Sequence, residues 1–322
     1  MSVRSARRLA SFSLIVLISI FFAVQTDSFV TSRNIFQLLR DSSYVGLIAV
    51  GLSFVIVGGG IDLSGGGIVC LVGILIARFS LISSSVPGIV VVIFGVLCGI
   101  ALGAINGFFV VKIRLAEFVA TLASGFVFSG LAIIFAFRDN GRLVSRSLTL
   151  NSYLRFGSHF RGLYYITIVW VLVAVIAYIV QRMTKFGLHT YAMGSNRKAA
   201  DMSGVNIDRM KASGFLISGG CAGLASAFVV ASQNAANITL GSGMEFQAIA
   251  ANVVGGVVLG GGKGDTISTM LGALFLTLLL NGIVKLGLGT YWQYMIQGMV
   301  IVFAITFDSL FSRIYQKRVL TN

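Results

Sequence analysis

Charge is what this sequence has least of. Asp, Glu, Lys and Arg make up 11% of its 322 residues, whereas a soluble domain carries about a quarter. With a single proline and 57% hydrophobic residues, it is not a disordered low-complexity chain. Cysteine is nearly missing: Cys70, Cys98 and Cys221 lie in apolar stretches without metal-type spacing. They read as small buried hydrophobes, so neither a disulfide framework nor a metal centre is implied. The two histidines, His159 and His189, have no partner residues at ligand spacing. No His-Glu-x-x-His, nucleophile elbow or carboxylate pair occurs. The chain is expected to be no enzyme and to carry no cofactor or metal.

What abounds is apolar length. Mean hydropathy is +0.95, and windows approaching the ~20 residues that a bilayer requires recur from end to end. Ten candidate helices fall roughly at 9–25, 44–58, 65–82, 87–111, 116–137, 163–180, 212–232, 246–261, 267–286 and 291–311. The expected fold class is all-α, a polytopic integral membrane protein with one transmembrane domain over 1–322. The net charge of +14 does not point to nucleic acid, because the basic residues sit between apolar segments, as they do at a lipid surface. Arg4, Arg7 and Arg8 precede the apolar run 9–24 without a small-x-small cleavage site, so the first helix is expected to stay uncleaved. With the N-terminus inside, fifteen of the 24 basic residues fall on the inner side, which favours cytoplasmic termini. The strain on this topology is the outer loop 138–162, which holds Arg138, Arg142, Arg146, Arg155 and Arg161.

Small residues mark helix packing. Gly95, Gly99, Gly103 and Gly107 repeat every four residues, and Gly219 and Gly223 do the same; such rows let two backbones approach closely and need no chemistry. Asn106, Asn252 and Asn281 read as interhelical hydrogen-bonding groups rather than solute ligands. The stretch "VVLGGGKGDT" (257–266) imitates a phosphate loop but has Val257 where the first glycine belongs and Gly264 where Ser or Thr belongs. It reads as a glycine-rich turn.

Two segments break the apolar pattern. In "VIVGGGIDLSGGGIV" (55–69), Gly58 to Gly60 end one helix, and Asp62 or Ser64 can cap the next. Irregular backbone at membrane depth must be buried in protein or line a water-filled cavity. Gly59, Gly60, Asp62 and Ser64 are therefore expected in the interior, at a helix break near 58–67 or along a solute path, with capping the favoured role of Asp62. The second segment is the polar, basic loop 184–211. Ser195 to Met202 reads as a short helix capped by Ser195 or Asn196, packing through Ala199, Ala200 and Met202 and ended by Gly204. Residue types alone leave it open whether this helix docks a partner or is a solvated connector.

Four ordered blocks carry a resemblance. They are "LIAVGLSFVIVGGGIDLSGGGIVCLVG" (47–73), "GAINGFFVVKIRLAEFVATLASGFVFSGLA" (103–132), "TKFGLHTYAMGSNRKAADMSGVN" (184–206) and "EFQAIAANVVGGVVLGGGKGDTISTMLGALFLTLLLNGI" (245–283). Over about residues 35–308 the chain resembles the permeases of sugar-type ABC importers, the group that includes the ribose permease. The resemblance implies a second permease subunit (identical or closely related), a cytoplasmic ATP-binding subunit and a periplasmic sugar-binding protein. It implies a bacterial inner-membrane importer that moves a pentose or hexose by alternating access. "KAADMSG" (198–204) resembles the Glu-Ala-Ala-x-x-x-Gly pattern of coupling loops, with Lys198 in place of Glu. Asn196, Ala199, Ala200, Ser203 and Gly204 thereby become candidates for coupling to the ATP-binding subunit. Gly65, "LAEF" (115–118) and Met244-Glu245-Phe246-Gln247 depart from the family pattern, so no particular sugar carries over. The rival reading, an ion-coupled secondary transporter of a small polar solute, would need intramembrane carboxylates, for which Asp62 is the serious candidate.

Overall fold

The computed structural model describes residues 3–80, 86–137, 151–289, 291–303 and 306. Helices follow one another as α1 (Val3–Gln25), α2 (Ser32–Val57), α3 (Gly65–Phe79), α4 (Gly88–Val111), α5 (Glu117–Ala136) and α6 (Asn151–Leu154). After a 3-10 turn and a small hairpin come α7 (Tyr165–Met183), α8 (Lys185–Ser195), α9 (Arg197–Met202), α10 (Ile207–Gln233), α11 (Met244–Gly255) and α12 (Thr266–Lys285). Residues 291–303 form α13. The hairpin pairs β1 (His159–Phe160) with β2 (Leu163–Tyr164). Its two turn residues, Arg161 and Gly162, both have positive φ, as the primed two-residue turns require.

The all-α class is observed. Among the described residues, six helices (α2, α4, α5, α7, α10 and α12) are each long and apolar enough to cross a membrane. With 15 residues in α3 and 12 in α11, these two are shorter than the ~20 of a full span. Arg138, Arg142, Arg146 and the end of the tenth expected helix lie outside the described residues.

Several boundaries differ from expectation for identifiable reasons. The second helix starts at Ser32, not 44, because its charges are accommodated: Arg40 pairs with Asp41 at 2.8 Å and stacks over the Tyr164 ring at 5.0 Å. Thr31 caps it by accepting the Asn34 N–H. Residues 185–195, read as loop, form α8 under a Thr184 cap. The eighth helix ends at Gly255 rather than 261, where Gly256 takes the left-handed conformation that closes a helix.

At the centre stands α2. Every residue from Ser42 to Val57 is buried, the mark of a helix surrounded by protein on all sides. Small residues admit its neighbours: a Cβ at Gly46 would run into the Trp170 indole of α7, and one at Gly51 into Cys221 of α10. By contrast α4, α5 and α7 turn apolar outer faces away from the core, among them Ile93, Leu97, Phe126, Val127, Leu172 and Val175, and these suit lipid.

The glycine row of α4 lies against α10, but its four members are not equivalent. Gly99 packs on the Gly219 carbonyl and Gly103 on that of Phe215, while Gly219 and Gly223 return the contact to Gly99 and Gly95. A Cβ at Gly107 would find its nearest neighbour at 3.4 Å, ordinary contact. The row is thus a crossing centred on Gly99 and Gly103, and Gly107 lies beyond it. Gly99→Ala and Gly219→Ala should each cost about 1–3 kcal/mol through overpacking, read as a lowered melting temperature in detergent. Gly107→Ala and Gly130→Ala, the latter with no atom within 4 Å, should melt with the unaltered chain.

Candidate functional site

Between α2 and α3 the backbone leaves helical geometry at Gly58 and regains it at Gly65. Gly59 turns the chain through φ 85°, a conformation that glycine adopts without a Cβ penalty. The N–H groups of Gly59 and Gly60 fold back on Ile56 and Val55 carbonyls, both at 2.9 Å. Beyond them the backbone turns to side chains. Ile61 N–H donates to Glu117 Oε2 at 3.2 Å, Leu63 N–H to Thr121 Oγ1 at 3.0 Å, and Ser64 N–H to Asp62 Oδ1 at 2.9 Å. Two of these three acceptors sit on the first turns of α5. Buried donors must be paired somewhere, and here α5 supplies what the missing helix does not.

Asp62 ties four elements together. Only 2% exposed, its Oδ1 also accepts the Ser64 hydroxyl at 2.6 Å, and its Oδ2 accepts the Ser218 hydroxyl of α10 at 2.7 Å. Ser64 Oγ in turn accepts Asn106 Nδ2 of α4 at 2.7 Å. The capping expectation therefore needs correction in detail. Ser64 is the N-cap residue of α3, but its side chain caps no α3 N–H, because Asp62 and Asn106 engage its hydroxyl. Asp62 instead closes a turn on Ser64, one residue ahead of the helix. Asn252 is likewise absorbed by structure, donating to the Ala49 and Ala248 carbonyls and accepting from Thr269.

The acceptor Glu117 is itself held in an ion pair with Lys211 of α10, and both side chains are largely buried. Arg114 and Asp208 form a bidentate pair at 2.8 and 2.9 Å beside it. Together they bind the start of α10 to the start of α5 and, through Ile61, to the break. Along with Gly60 and Arg197, the Arg114, Glu117 and Lys211 side chains border a cleft of about 410 Å³. Sequence reasoning missed Glu117, Thr121, Lys211 and Ser218. Asp62 and Ser218 are 156 residues apart, and no local pattern signals such a pairing.

The 184–206 segment lies at this same end. Asn196, rather than Ser195, caps α9 by accepting the Ala199 N–H at 3.1 Å. Gly204, with φ 82°, ends it: Val205 N–H reaches the Ala200 carbonyl and Gly204 N–H that of Asp201, a complete Schellman motif. The Ser203 hydroxyl donates to Ala199 O at 2.8 Å. The expected packing face shrinks to one residue. Ala200 is buried with Met193, Val205 and Ile207, while Ala199 is exposed and Met202 is 90% exposed. At 100° per residue, Ala199 and Met202 lie within 60° of each other, on the side of the helix that faces solvent.

Three glycine segments meet where this loop joins the break. A Cβ at Gly194 would strike the Val57 carbonyl, and one at Gly261 would strike Gly59 and Gly194. Gly262 N–H donates to Val57 O at 2.8 Å. The "GGGKG" turn is thus a packing turn, wedged between the break and the end of α8.

Residues 34–305, from the first turn of α2 into α13, match the family described as "Branched-chain amino acid transport system / permease component". The chain belongs to this family. As one of these permease components, it is similar to the ribose import permease protein RbsC of Bacillus subtilis (strain 168), 37% identical over 301 residues covering 93% of this chain and 91% of the relative. The D-allose transport system permease protein AlsC of Escherichia coli (strain K12) is 34% identical, covering 94% and 91%. The xylose transport system permease protein XylH of Haemophilus influenzae is 29% identical, covering 92% and 94%. No solved structure matches significantly. The chain is the permease component of a transporter, a multi-pass membrane protein and not itself the catalytic part.

The hydrogen bonds of Asp62 set apart two substitutions in this permease. Asp62→Asn keeps an acceptor for Ser64 and can donate to the Ser218 hydroxyl, so melting in detergent should shift little. Asp62→Leu strands the Ser64 and Ser218 donors, at about 1–3 kcal/mol for each group left unpaired, and should lower the melting temperature by several degrees.

Proposed function

We propose that this chain is the permease subunit of an ATP-driven, binding-protein-dependent sugar importer in the bacterial inner membrane, moving a pentose or hexose by alternating access. The observation that carries this reading is the 37% identity to a ribose import permease over 93% of the chain, supported by the allose and xylose transport permeases. Ten membrane crossings, with α3 and α11 as short ones and both termini cytoplasmic, put 58–64, 112–116, 184–206 and 256–265 on the inner side. A second permease subunit completes the path, a periplasmic sugar-binding protein delivers solute, and ATP is hydrolysed by a separate cytoplasmic subunit.

In this reading α9 is the coupling helix. It projects Arg197, Lys198, Ala199, Met202 and Ser203 to solvent while Asn196 and Gly204 hold both its ends. Its motion has a route inward: Gly194, in the last turn of α8, lies on Val57 and on the 260–262 turn, and these adjoin the break at Gly59. Each state of the break must be favoured by a different partner, since a ligand shifts an equilibrium only by its differential affinity. Asp62, Gly59, Gly60 and Ser64 then act as a structural joint that the coupling helix moves. A proton-coupled mechanism is disfavoured, because the three hydrogen bonds accepted by Asp62 come from the protein itself.

Reconstituted with an ATP-binding subunit and binding protein, the permease should take up D-ribose, D-xylose or D-allose only when ATP is hydrolysed. Uptake that survives ATP removal and collapses with the proton gradient would overturn this reading. Met202→Glu, on a fully solvated face, should leave melting unchanged but weaken retention of the ATP-binding subunit about tenfold or more, as losing ~1.4 kcal/mol at an interface does. Pull-down titration measures it.

A further inference from the structure

At the end of the molecule opposite the break, α2, α10, α11, α12 and α13 surround a cavity of about 500 Å³, within the size range of small-molecule sites. Polar side chains enter its otherwise apolar lining: Arg40, Asp41 and Tyr44 from α2, Ser232 from α10, Gln247 from α11 and Asn281 from α12. Arg40 to Tyr44 precede Val57 by 13 to 17 residues, which is about 20–25 Å at 1.5 Å per residue. The cavity and the α9 helix therefore stand at opposite ends of α2.

Tyr44 is 8% exposed, and its hydroxyl lies near Ser232 without completing a hydrogen bond. Buried polar groups are ordinarily paired, and one that is not calls for an explanation. Arg40 and Asp41 pair at 2.8 Å, and the stack on Tyr164 holds the guanidinium in place. Their charges cancel. Asn281 exchanges amide hydrogen bonds with Asn34 at 3.0 and 3.1 Å, which fixes that wall. A lining without net charge, with polar side chains and an aromatic ring among apolar ones, suits the hydroxyls and the carbon faces of a small ring and rejects an ionic solute.

We propose that this cavity holds one neutral monosaccharide on the outer side of the permease, with the Tyr44 hydroxyl among its hydrogen-bonding partners. The proposal rests on the sugar-permease reading and adds a place and a ligand chemistry to it. Weak, reversible contacts serve such a waypoint, since conduction requires that the solute also leave.

The test uses the complete transporter in proteoliposomes. With Thr277→Cys on the cavity wall, free D-ribose should slow labelling by a membrane-impermeant thiol reagent several-fold, and D-ribose 5-phosphate should not. In the same vesicles, Tyr44→Phe should lower the sugar delivered per ATP hydrolysed at least threefold. Labelling at position 277 that is indifferent to D-ribose, or a full sugar-to-ATP ratio in Tyr44→Phe, overturns the proposal. Uptake by the unaltered transporter is measured alongside. If it takes up sugar while position 277 stays unprotected, the cavity assignment alone falls. If it takes up none of the three sugars, the sugar-permease reading falls and the cavity assignment with it.

Discussion

Backbone that leaves the helix inside an apolar protein must find a hydrogen-bond partner for each N–H, and at residues 58–64 this requirement organises the molecule. Beyond Gly60 the partners are side chains: Glu117 and Thr121 on α5, and Asp62 of the break, itself anchored to Ser218 on α10. A continuous helix would have needed none of them, because its own carbonyls would have served. The break therefore binds α3, α4, α5 and α10 together at one level. It makes their relative position depend on a handful of directed bonds rather than on apolar contact alone.

Close packing surrounds these directed bonds. At the α4–α10 crossing, glycine carbonyls and Cα atoms touch. Between α8, the break and the 260–262 turn, three glycine segments likewise meet backbone to backbone. The Glu117–Lys211 and Arg114–Asp208 pairs close the same region from the α5 side. At the other end, the Arg40–Asp41 pair and the reciprocal Asn34–Asn281 amides keep polar side chains fixed around an open cavity. The two ends share α2 and α10, each of which reaches from one to the other.

The helices, the break and the short capped helix at 197–202 were legible in the sequence because each rests on local chemistry. Apolar length sets spans, glycine at a fixed step sets a crossing, and Asn196 and Gly204 set the ends of α9. Expectation failed where a local signal was outweighed by a distant partner. Apolar length alone starts the second helix at 44, but Asp41 and Tyr164 accommodate Arg40 inside it. Met202 was read as packing, but a single buried alanine anchors so short a helix. Gly107 shared the spacing of its row yet lies beyond the crossing.

By itself, then, the sequence determined the all-α membrane class, the position of the break and the family resemblance, since hydropathy, backbone conformation and ordered motifs are properties of neighbours along the chain. Only the tertiary structure decided what Asp62 holds, which glycines bear the crossing, and that Glu117 and Lys211 belong to the break at all. It also decided that Arg40, Tyr44, Ser232, Gln247 and Asn281 face one cavity. Those facts depend on pairings across as many as 247 residues, and the geometry that creates them exists only once the helices have packed.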